Sequence, residues 1–186
     1  MSVSKNADYT VMQKALHWLI GVAIMADLFI AQKFGGPMEE WDRFESRSDH
    51  ASIGTVVAVL FVARMYLRLK HGAPPLPDDM TPWQRLLAHL AHWALYAAIA
   101  VLILTGMLSA VFANSSVEAF GVFAYGDGVG NIDVYSVTRL VHELTTKTII
   151  ALIVLHILAA LYHLIIVRDG VTERMLRFWK SGKSGA

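Results

Sequence analysis

The sequence contains no cysteine. That excludes disulfides, zinc or iron–sulfur clusters held by thiolates, and haem tethered through a C-x-x-C-H motif, so any metal must be held by nitrogen or oxygen. Charge is scarce too: 17% of the 186 residues are charged, where a typical soluble domain carries about a quarter. The formal net charge is only +1, and no nucleic-acid partner is expected of such a chain. Internal repeats and low-complexity tracts are also lacking.

What the sequence does have is apolar length. Hydrophobic residues make up 55% of it, and the mean hydropathy is +0.48. Four runs, 15–34, 50–69, 89–112 and 140–167, are each long enough for a hydrocarbon core that takes about 20 helical residues to cross. The first run follows Lys5 and Lys14, as a signal peptide would, but it lacks an A-x-A-like exit and contains Asp27. It is therefore expected to remain a mature span. The predicted fold class is all-α, a transmembrane four-helix bundle, with 1–186 forming a single integral-membrane domain in the lipid bilayer.

Basic residues set the expected orientation. Lys5 and Lys14, then Arg64, Arg68, Lys70 and Arg85, then Arg168, Arg174, Arg177, Lys180 and Lys183 cluster on one side. The first connection is instead acidic, with Glu39, Glu40, Asp42, Glu45 and Asp49 beside Arg43 and Arg47. Both termini are therefore expected in the cytoplasm. The proline-rich stretch GAPPLPDDMTP at 72–82 reads as an extended cytoplasmic link, with Asp78, Asp79 and Thr81-Pro82 as capping signals for a third helix starting as early as Trp83. The third connection, NSSVEAFGVFAYGDGVGNIDVY, is long enough to be functional or to pack over something. It adds Glu118, Asp127 and Asp133 to the outer side, against Arg139.

Eight histidines carry most of the chemical information. His142 and His156, the ends of HELTTKTIIALIVLH, are fourteen residues apart, which on a helix means about 21 Å of rise on nearly one face. By depth, His17 matches His156 near the cytoplasmic side and His50 matches His142 near the outer side. Two opposed pairs of imidazoles, without cysteine or a nearby carboxylate ligand, suit two haem b groups held by bis-histidine ligation. Zinc or iron bound directly fits less well, because the histidines divide into pairs instead of one cluster. One turn after each histidine sits a small residue: Gly21, Gly54, Thr146 and Ala160. These would leave room for a porphyrin; they are also what close helix packing in membranes favours. Arg64, fourteen residues after His50, falls at the depth of the His17–His156 pair and suits a haem propionate.

His89, His92 and His163 are expected to gather below the cytoplasmic pair, in reach of a quinone headgroup that needs hydrogen-bond donors. The competing reading is interfacial polar residues satisfied by water or lipid. Asp27 and Lys147, each some way inside the outer surface, read as a pair that offsets their burial, the competing reading being Asp27 as a proton relay.

Taken together, VMQKALHWLIG, HASIG, RMYLRLKHGAPP, LAHLAHWALY and the HEL…LH spacing followed by ALYH resemble the bacterial di-haem cytochrome b561 family, related to the cytochrome b subunits of nickel–iron hydrogenases. The resemblance runs over nearly the whole chain. It implies a protein of the bacterial inner (cytoplasmic) membrane with two haem b groups on His17, His50, His142 and His156. A branch of that family oxidises superoxide on the periplasmic side and passes the electron to ubiquinone, which makes His163 and His89 the implied quinone contacts. Two functions follow as expectations. One is a redox enzyme between a periplasmic donor, such as superoxide, and ubiquinone. The other is a non-catalytic electron-transfer subunit whose acidic outer side docks a basic periplasmic redox protein.

Overall fold

The computed structural model describes residues 8–37, 39–78 and 80–178. Lys5, Asp79, Lys180 and Lys183 lie outside the described residues. Four long helices dominate: α1 (Val11–Ala31), α2 (Glu40–His71), α3 (Pro82–Val111) and α4 (Ile132–Tyr162). All four are long and apolar enough to cross a membrane, and the chain is a multi-pass membrane protein. Between α3 and α4 lies a small antiparallel hairpin, β1 (Glu118–Ala119) with β2 (Phe123–Ala124). A four-residue helix, α5 (Glu173–Leu176), follows α4.

The helices overshoot the hydropathy spans. The second starts at Glu40, ten residues before the expected start, and the fourth at Ile132 instead of 140. Hydropathy marks the hydrocarbon core, and a helix continues beyond it wherever the chain allows; side-chain caps fix the starts of α1, α3 and α4. Thr10 and Thr81 each accept the backbone N–H three residues on, while Gln13 and Gln84 accept back from the caps. Asn131 caps α4 in the same spirit, accepting from Asp133 and Val134. At 32 residues, α2 measures about 48 Å, against about 30 Å of hydrocarbon. Most of the acidic "connection" is therefore a helical extension of α2. Of the expected cap signals before α3, Thr81 is the one used.

Packing is pairwise. α1 lies along α2 and α3 along α4, while α2 meets α3 more lightly. Leu16, Ile20, Val57, Tyr96, Ala98 and Ile149 are buried, whereas apolar side chains such as Phe29, Val59, Leu104 and Leu155 face outward, as lipid requires.

The long third connection packs back onto α2, and its own Ala119 is fully buried. Phe120 N–H donates to Ser52 Oγ at 2.7 Å. Thr55 Oγ1 gives its hydrogen to the Ala51 carbonyl, so the Tyr125 hydroxyl donates to Thr55, 2.5 Å away. Its tip turns through Phe120 and Gly121 at φ 57° and 65°, the left-handed region that glycine enters freely.

The opposite end is closed by the two ends of the described chain. Lys14, only 2% exposed, donates to Asp8 Oδ2 at 2.8 Å and to the Arg177 carbonyl at 2.5 Å. Trp18 Nε1 donates to the Met175 carbonyl, and Arg174 donates to that of Pro75. We refer to these as the hairpin end and the terminal end of the bundle.

Candidate functional site

The bundle brings the four histidines together in two pairs. At the terminal end, the rings of His17 on α1 and His156 on α4 have centroids 6.1 Å apart and planes at 69°. At the hairpin end, His50 on α2 and His142 on α4 stand 6.0 Å apart at 87°. A metal–imidazole bond is about 2 Å, so two rings opposed across one ion have centres about 6 Å apart. Both spacings fit that arrangement, and the donors are neutral nitrogens, as haem iron takes them. Among the described residues no group of three or more His, Asp or Glu is arranged to hold a metal ion.

Clearance for a flat macrocycle is present on the same faces. A Cβ built on Gly21 or Gly54, each one turn after a paired histidine, meets nothing within 4 Å. The Thr146 hydroxyl folds back onto the His142 carbonyl at 2.8 Å.

Each hairpin-end imidazole is oriented from behind. His50 Nδ1 lies 2.8 Å from Asp27 Oδ1; a neutral imidazole that donates from Nδ1 keeps its lone pair on Nε2. Thr105 Oγ1 gives its hydrogen to the Val101 carbonyl at 2.6 Å. It therefore accepts from His142 Nδ1, 3.1 Å away, which leaves the second Nε2 free in the same way. Gly106 permits the approach, since a Cβ there would stand 3.1 Å from His142 Cε1.

This geometry corrects the expected Asp27–Lys147 pair. Asp27 is taken by His50, at its own depth on the adjacent helix. Lys147, 68% exposed in its side chain, bonds instead to Glu143 one turn back on α4. The two charges do not compensate each other.

At the terminal end, Arg64 donates to the Gln13 carbonyl at 2.8 Å and lies 5.9 Å over the Tyr96 ring. That places its guanidinium one turn from His17. Outside the spans, burial pushes the Tyr9 phenol above its ordinary range, against the lowering pull of Arg68, Arg64 and Arg174.

Of the remaining histidines, His92 and His163 have partners of their own. His92 stands against His156, ring centroids 5.5 Å apart, with its Nδ1 donating to the Ala88 carbonyl. His89 is exposed on α3. His163 opens a π turn, His163–Val167, in which helical pairing is relaxed. Its Nδ1 lies 2.6 Å from Asp169 Oδ2, whose side chain is 3% exposed. Thr105, Gly106 and Asp169 were not expected from the sequence, although a Thr-Gly step inside the apolar run LILTGMLSA is a usable signal.

Residues 8–178 match the family model described as prokaryotic cytochrome b561. Among curated proteins, the chain is 26% identical to the "Probable superoxide oxidase CybB" of Yersinia pestis, over 92% of this chain and 97% of that one. It is 26% identical to "Cytochrome b561 homolog 1" of Escherichia coli K12, covering 87% and 92%. To "Cytochrome b561 homolog 2" of the same strain it is 27% identical, covering 90% of each.

Proposed function

Since the chain belongs to the prokaryotic cytochrome b561 family, and so is a haem-b-binding membrane protein of electron transfer, we propose that it is a di-haem cytochrome of the bacterial inner membrane. It carries electrons from a donor at the hairpin end, on the periplasmic side, to ubiquinone at the terminal end, on the cytoplasmic side. The observation that carries this reading is the two imidazole pairs at 6.1 and 6.0 Å, set fourteen residues apart along α4. Both termini then lie in the cytoplasm.

In this reading His17 and His156 hold one haem b, and His50 and His142 the other, each through Nε2. The haems supply one-electron exchange. Gly21 and Gly54 give the macrocycles room, and Arg64, with donors beyond the one given to Gln13, pairs a propionate. Held by two histidines apiece, the groups would supply electron exchange without binding the donor at iron.

The donor is proposed to be superoxide, by similarity to the relative whose printed name says superoxide oxidase. Each superoxide gives up one electron and leaves as dioxygen; two electrons and two protons make quinol from quinone. His163, backed by Asp169, exchanges the proton at the quinone headgroup. His89, exposed on α3, is the second candidate contact.

A second reading has its own support. Glu39, Glu40, Asp42, Glu45 and Asp49 are all exposed at the hairpin end, a surface suited to docking a basic redox protein. The chain is then a non-catalytic subunit that receives electrons from that partner.

The test begins with haem content. The purified protein should hold two haems per chain with a low-spin b-type α band on reduction, and His142→Ala or His50→Ala should remove about half of it. Superoxide should then drive reduction of a ubiquinone analogue by the purified protein alone. Haems that stay oxidised under superoxide but are reduced by a basic electron-carrier protein would favour the second reading.

A further inference from the structure

The two histidine pairs differ in what stands behind them. At the hairpin end the Nδ1–H of His50 meets a carboxylate, Asp27, at 2.8 Å, and both side chains are largely enclosed, 29% and 17% exposed. At the terminal end the charge set beside the pair is of opposite sign: Arg64, anchored on the Gln13 carbonyl one turn before His17. A carboxylate accepting the distal proton of an imidazole makes that imidazole a stronger electron donor through its other nitrogen. A stronger ligand stabilises the ferric state and lowers the reduction potential. A nearby cation stabilises the added electron and raises it.

We propose that Asp27 is a positioning residue for His50 that sets the hairpin-end haem below the terminal-end haem in potential, with Arg64 acting in the opposite sense. The inference rests on the di-haem reading above and adds the direction of electron flow. At equilibrium a single electron resides at the terminal end, next to the quinone candidates. Thr105 cannot supply this bias, because it offers His142 a neutral oxygen already committed to the Val101 carbonyl. Lys147 does not cancel the carboxylate, since it turns away to Glu143.

The experiment is a spectroelectrochemical titration of the full-length protein in detergent or nanodiscs, with haem content measured in parallel. Wild type should show two b-type midpoints, the lower one belonging to the haem lost in His142→Ala. Asp27→Asn keeps the shape but exchanges a carboxylate for an amide. It should raise the lower midpoint by at least about 59 mV, which is a tenfold change in a one-electron equilibrium, and leave the upper one in place. Asp27→Glu should largely restore the wild-type value. If Asp27→Asn instead sheds a haem, the lost component must be the lower-potential one, and Asp27→Glu must retain it at its original midpoint. If both variants shed it, the wild-type midpoints decide: the haem lost with His142→Ala must be the lower-potential one, and the reverse order sinks the proposal. Two retained haems with unmoved midpoints in Asp27→Asn also overturn it. A wild type that binds one haem would refute the di-haem reading itself, an outcome distinguishable from all of these.

Discussion

Gly106 carries no chemistry, yet the hairpin-end pair depends on it. A Cβ there would lie 3.1 Å from His142 Cε1 and 3.5 Å from its Nδ1, which is tighter than van der Waals contact. Any side chain therefore tilts the imidazole away from the Thr105 oxygen that orients it. On the di-haem reading, Gly106→Val should cost the haem proposed at this pair, about half of the total α band, with Gly106→Ala partway; full haem content in Gly106→Val would contradict this. The four paired histidines were legible because a helix converts a fourteen-residue interval into depth along one face. Their supports were not. Whether Thr105, Gly106 or Asp27 stands behind a given imidazole depends on which helices pair and at what rotation, and residue periodicity is silent on both. The same blindness made Asp27 and Lys147, two charges at similar depth, look like partners.

Hydropathy finds the part of a helix that lipid must cover, and it stops where polar residues begin even if the helix continues. α2 therefore starts ten residues early, and the long third connection, expected to pack over something, settles on α2 within a turn or two of His50 through Ser52 and Thr55. Its seat is tight at Gly126, where a Cβ would stand 2.5 Å from the Val111 carbonyl oxygen and 3.1 Å from Val111 Cα. Backbone at the end of α3 cannot yield as a side-chain tip would, so Gly126→Ala must push the segment off α2. Hydrogen exchange at the amide of Phe120, which donates to Ser52 on α2, should accelerate at least about tenfold, equivalent to roughly 1.4 kcal/mol of lost protection. Unchanged exchange would show that the connection moves without cost. The π turn at His163 was not legible either, since no proline or glycine marks it and the apolar run simply continues.

At the scale of the molecule, the hairpin end is a predominantly acidic surface. Glu39, Glu40, Asp42, Glu45, Asp49, Asp127 and Asp133 are exposed there, against exposed Lys33 and Arg139. Arg43 is only half exposed, and Arg47 is held by Ser115 Oγ at 3.0 Å. Such a field repels an anion and attracts a cationic protein, and salt screens both effects over a Debye length of about 8 Å at physiological ionic strength. The two candidate donors therefore predict opposite slopes. If superoxide approaches through this field, its rate of haem reduction should rise as ionic strength goes from 20 to 200 mM, by an amount on the order of twofold. If a basic redox protein docks on these carboxylates, its rate should fall over the same range, by about tenfold or more. Reversing Glu40, Asp42 and Glu45 to lysine should speed superoxide and slow the basic protein. A superoxide rate that falls with salt in the wild-type protein would mean that the local field at the point of entry is cationic, set by Arg139 and Lys33 and not by the acidic extension of α2.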